Sequence, residues 1–240
     1  MMKIFVLSIL LLLAPFRAVA SEPESVFRNE SELGYVLTSG NTDVASLSAK
    51  QHNRWESSDN AFHFNARYLR SSNQGIEQSL FWSAGFKYER LFSSLISGYL
   101  GQLVESNIYQ KINQRYASDA GVKLNFYKRE KDLIWFAEAG YRYARENYPN
   151  NFQDLQFMRI YSEIENYWIE SVSGKLNFEY LPNLTRWKGY QINSAFSLSA
   201  ALSDYFSFKT SYEFRFNNEP PAGTVSNSDR VLITAFVAKF

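Results

Sequence analysis

The side chains able to do chemistry are few. Histidine occurs twice, at His52 and His63, and cysteine not at all. The two histidines lie in segments joined by the short break Ser57–Asp59, so antiparallel pairing would bring their rings toward each other. Such a pair could bind a metal or serve a Ser-His hydrolase. A plainer reading competes with it. Both positions share the polar side of their segments with Lys50, Arg54, Asn65 and Arg67, where an imidazole serves as a solvated hydrogen-bonding group. A barrel hydrolase acting on lipid needs its serine and histidine on the lipid side instead. No phosphate loop, His-Glu-x-x-His pair or nucleophile elbow occurs. No catalytic, cofactor-binding or metal-binding residue is therefore expected, and the chain does not read as an enzyme.

The abundant chemistry is charge, and its spacing is regular. From Tyr205 to Asn217, Phe206, Phe208, Thr210, Tyr212, Phe214 and Phe216 alternate with Ser207, Lys209, Ser211, Glu213, Arg215 and Asn217. Period-2 alternation belongs to a strand with two unlike faces, not to a helix. Leu80, Trp82, Ala84, Phe86 and Tyr88 alternate with Ser83, Gly85, Lys87 and Glu89 in the same way. So do Leu176, Phe178 and Tyr180 with Lys175, Asn177 and Glu179. The polar faces collect Lys87, Glu89, Asp119, Lys123, Glu138, Arg142, Arg159, Glu163, Lys175, Glu179, Lys209, Glu213 and Arg215. If those faces enclose an interior, the charges either knit into an ion-pair network that fills it or line a small polar channel.

Twelve strands are needed to carry this pattern: 30–38, 43–56, 60–70, 77–91, 95–105, 113–128, 132–146, 154–170, 172–183, 189–203, 205–217 and 228–240. In 95–105 both faces are apolar or small, and its facing stays open. Breaks after even-numbered strands are short, as at Phe92–Ser94 and Arg129–Lys131. Those after odd-numbered strands are mostly longer, as at Ser71–Ile76 and Asn218–Asn227; the first, Ser39–Thr42, is an exception. Short turns at one end and long loops at the other are the outer-membrane arrangement, with both termini periplasmic.

Composition narrows the environment. Aromatic residues make up 17% of the 240, and they gather near strand ends, as Trp55, Tyr88, Trp168 and Phe216 do. Many strands exceed the roughly 9–11 residues that cross a bilayer. Lys3, the apolar run Ile4–Ala14 and Ala18-Val19-Ala20 read as a signal peptide cut after Ala20, leaving one barrel domain over 21–240. Losing Lys3 and Arg17 takes the net charge from +1 to −1, which argues against nucleic acid as a partner. The expected fold is all-β, a closed antiparallel transmembrane barrel of about twelve strands in the bacterial outer membrane, with lipid as its main partner.

The Ser39-Gly40-Asn41-Thr42 turn after the first strand, and the loop Asn218-Glu219-Pro220-Pro221-Ala222-Gly223 before the last, resemble the salt-induced outer-membrane protein family. That bacterial family is otherwise labelled a domain of unknown function. The loop departs from the family's Pro-Pro-Gly by the interposed Ala222. The resemblance implies an outer-membrane barrel and brings no substrate or catalytic residues. The final strand, with Phe236 and the terminal Phe240 on one face, resembles the signal read by the barrel assembly machinery. The leading expectation is a non-enzymatic barrel that supports envelope integrity or passes small polar solutes or ions, linked to osmotic or salt stress. Two alternatives are a lipid-modifying barrel enzyme and a soluble periplasmic barrel with an apolar ligand.

Overall fold

The computed structural model describes residues 25–38, 44–74, 76–108, 110–129, 132–149, 151–221 and 226–240. The expected signal peptide, its cleavage point after Ala20 and the Gly-Asn-Thr turn lie outside these residues.

Twelve strands close into one antiparallel barrel. They are β1 (Ser25–Thr38), β2 (Val44–Ser57), β3 (Asn60–Asn73), β4 (Ile76–Leu91), β5 (Ile96–Asn107) and β6 (Ile112–Arg129). The second half comprises β7 (Leu133–Asn147), β8 (Phe152–Ile169), β9 (Val172–Pro182), β10 (Tyr190–Ala201), β11 (Phe206–Asn217) and β12 (Ser228–Lys239). Each strand pairs with its sequence neighbours, and β12 returns to β1. Closure leaves no free sheet edge, which is what allows a sheet to cross lipid.

Register fixes which face looks outward. Phe27, Trp55, Phe62 and Tyr88 stand opposite one another across β1–β4. They lie on the outside near the turn end, and Trp55 stacks on Phe62 at 5.2 Å. Phe206 is 52% exposed and Tyr212 44%, whereas Glu213 between these faces is buried. An apolar surface this continuous around a whole protein is untenable in water and suits hydrocarbon. The greasy side therefore faces lipid and the ionic side faces inward.

Strand number and approximate limits match the period-2 reading, but the ends differ. Because β3 and β4 extend further than their alternation suggested, the connection expected over Ser71–Ile76 shrinks to Gln74 and the residue after it. Gln74 has φ 50°, the left-handed conformation a two-residue turn requires. The expected contrast of loop lengths is accordingly uneven, and is clearest at the connections preceding β10 and β12.

β5 gains its facing from its partners. Gln102 pairs with Phe86 and Leu100 with Tyr88, so both look outward and Ser97, Tyr99, Leu103 and Glu105 look inward. In β6 a bulge between Asn125 and Tyr127 adds Phe126 to the outer surface, where it packs on Trp135 at 4.7 Å. The closing seam is short. Only four positions pair β1 with β12, from Glu30↔Lys239 to Leu33↔Phe236. Just beyond them, a Cβ at Gly34 would lie 2.6 Å from the Thr234 carbonyl oxygen, so glycine is what permits the approach.

Candidate functional site

Alternation sends one charged residue inward every second or fourth position, and twelve strands converge those charges on one space. All thirteen charged residues singled out above stand on the inward parity of their strands. A desolvated ion needs a partner, and all of these but Arg215 find an opposite charge both along the ladder and across the hollow.

Three groups result. Toward the seam, Glu213 accepts hydrogen bonds from Lys50 at 2.7 Å and pairs with Arg67 at 2.5 Å, although β11 is not adjacent to β2 or β3. Glu32 and Glu30 share Lys209, at 2.5 and 3.6 Å. Centrally, Glu138 is held by Lys87 and by Arg159 at 2.6 Å. Arg159 also donates to Glu179 at 2.6 Å, and Arg142 grips Asp119 through two bonds of 2.7 and 2.8 Å. Glu89 receives Lys123 at 3.0 Å. At the loop end, Arg115 lies 2.5 Å from both Glu105 and Glu146. Tyr148, in the connection beyond β7, donates its hydroxyl to Glu146; burial and that carboxylate raise its pKa, which keeps the donor protonated.

A glycine pair supports the central group. Gly121 and Gly140 face each other across β6 and β7, and the Tyr99 hydroxyl fills the space their missing side chains leave. A Cβ at Gly140 would come within 2.5 Å of that oxygen. Tyr99 is 4% exposed, accepts from Arg159 at 3.1 Å, and carries the Lys87 ammonium over its ring at 4.5 Å.

Between the central and loop-end groups the packing opens into a chamber of about 260 Å³. Arg115, Arg142 and Arg215 line it with Glu105, Glu179 and Asn193. Gln110, in the β5–β6 connection, crosses over the chamber to donate to Asp229 on β12 at 2.8 Å. Beside it the inward face turns apolar: Ala117, Ala144, Leu155, Phe157 and Leu181 form a buried cluster. The interior is thus less uniformly polar than the strand pattern suggested.

Arg115, Glu105, Glu30 and Glu32 lie outside the expected interior set. Arg115 shares parity with Asp119 and Lys123, a signal that would have found it. Glu105 lay in the segment whose faces could not be told apart. The histidines both point inward, with ring centroids 6.0 Å apart. His52 bonds Asn65 at 2.5 Å and His63 lies 3.6 Å from Glu89. Among the described residues no group of three or more His, Cys, Asp or Glu could hold a metal ion. Phe236 and Phe240 are exposed on the outer face at 63% and 69%.

A closed twelve-strand barrel with an apolar exterior and an ionic interior defines a transmembrane β-barrel. The chain belongs to the family described as "Protein of unknown function, DUF481", whose model matches residues 31–240. No curated protein sequence matches it. Among solved structures it is similar to the NanC porin in a rhombohedral crystal form, with TM-score 0.51 and 9% identity over 89% of this chain and 98% of that one. It is also similar to the KdgM porin in complex with disordered oligogalacturonate, with TM-score 0.47 and 12% identity over 90% and 99% of the two chains. At 9% identity the likeness to the NanC porin concerns the fold alone.

Proposed function

We propose that this barrel sits in the bacterial outer membrane with periplasmic termini and, without catalysing a reaction, passes small polar solutes or ions through a narrow interior braced by charge. One observation carries the reading. The inward faces are lined with ion pairs between strands that do not adjoin, and they leave a polar chamber of about 260 Å³. A passage so narrow admits little beyond small hydrophilic species, as expected between filled eight-strand barrels and open sixteen-strand porins. Support for envelope integrity under osmotic or salt stress is a role such a narrow path would suit. Within this proposal the leader is removed after Ala20, and Phe236 and Phe240 guide assembly by the barrel machinery. Lipid hydrolysis through His52 or His63 has no comparable support, since both rings turn away from the lipid side.

Planar bilayers test the reading. The refolded protein is expected to give small, discrete conductance steps. Trimming the seam-side braces with Lys50→Ala and Arg67→Ala is expected to enlarge each step. Correctly folded protein that inserts repeatedly without conducting would overturn it.

A further inference from the structure

Arg215 is the odd member of the chamber. Among the described residues, every other arginine lining it is committed: Arg115 to Glu105 and Glu146, and Arg142 to Asp119 and Glu179. Arg215 has no carboxylate within ion-pairing distance among the described residues. Its guanidinium carbon instead lies 4.3 Å from the centre of the Phe81 ring. The acids that could have neutralised it are engaged elsewhere. Glu213, two residues before it on the same face, is held by Lys50 and Arg67. Asp229, its cross-strand partner in register, accepts from Gln110. Glu105 and Glu179, on the chamber wall, belong to Arg115, Arg142 and Arg159. A planar guanidinium laid on an aromatic face keeps its edge donors free, and that edge matches a carboxylate through two parallel hydrogen bonds.

We infer that Arg215, set on Phe81, is the recognition element for the carboxylate of a small hydroxylated organic acid in the chamber. This deepens the solute-passage reading and rests on it for the route by which the acid arrives. Of the three guanidinium groups on the wall, Arg215 alone makes no salt bridge among the described residues, so it is the one left to meet an anion. Asn193 and Gln191, also on the wall, offer amide groups to the hydroxyls of the guest. The chamber volume, below the range common for drug-sized ligands, limits the guest to about six carbons, the size of a sugar acid.

The experiment uses the refolded full chain in detergent, with calorimetric titration of gluconate and of uncharged sorbitol. Gluconate is expected to bind and sorbitol not. A hydrogen bond to a charged group is worth enough that Arg215→Gln should weaken gluconate binding about tenfold or more. Arg215→Lys, which keeps the charge and loses the fork, should fall between, and it serves as the test if the glutamine variant does not fold. Phe81→Leu should also weaken binding by removing the platform. Unchanged gluconate affinity in either Arg215 variant, equal affinity for sorbitol, or no binding by the parent protein overturns the inference. Bilayer recordings separate this from the solute-passage reading. Conduction without Arg215-dependent binding sinks the inference alone, whereas Arg215-dependent binding without conduction sinks the passage reading alone.

Discussion

Glu138 and Arg215 occupy the same interior and are held in opposite ways. Glu138 is 3% exposed and clamped between Lys87 and Arg159, with Lys123 opposite it in register. Arg215 rests on a ring, makes no salt bridge among the described residues and lines the chamber. Where each ion has two partners, the interior acts as a set of struts, and desolvation is offset by a closed network. Where one ion lacks a direct salt bridge, the barrel keeps a usable group at the cost of local stability. The contrast separates charges that hold the wall in place from a charge available to a guest.

The contrast should break most visibly at Glu138. Glu138→Ala strands Lys87 and Arg159 in a buried setting, a loss expected to cost about 3–5 kcal/mol. Urea unfolding in detergent micelles measures it, and a cost near zero would mean the struts do not carry load. Next comes the glycine pair beneath Tyr99. Gly140→Ala drives a methyl group into the Tyr99 hydroxyl and the Ala120 carbonyl, with an expected cost of about 1–3 kcal/mol in the same assay. Tyr99→Phe keeps the ring and removes only the acceptor of Arg159, so about 0.5–1.5 kcal/mol is expected. If it matched Gly140→Ala, the hydroxyl rather than the fit would be the larger contribution. The smallest effect belongs to an exposed pair near the loop end. Arg70→Gln removes the 3.0 Å contact with Glu77 in full view of solvent, and should move stability by no more than about 0.5 kcal/mol.

Much of this was legible beforehand, for a local reason. A strand turns each side chain opposite to the one before it, so a run such as Phe206–Asn217 declares its faces without knowledge of its neighbours. On that rule the thirteen charged positions fall on the faces opposite the aromatic ones. Where both faces carry small or apolar residues, as over Ile96–Asn107, alternation has nothing to report. Tyr99 and Glu105 then become placeable only through pairing with β4. Apolar residues on the inward parity, such as Phe81 and Phe157, interrupt the run of charged positions. Nothing in their own strands marks them as neighbours of arginines.

The sequence by itself determined the strands, their two faces and the sign of the charges sent inward, because each depends on spacing along one segment. Only the closed barrel decided which charges meet. Lys50 and Glu213 are 163 residues apart and on strands that do not pair, yet they bond at 2.7 Å. That meeting, like the isolation of Arg215 on Phe81, follows from strand number, stagger and curvature, which no single strand encodes.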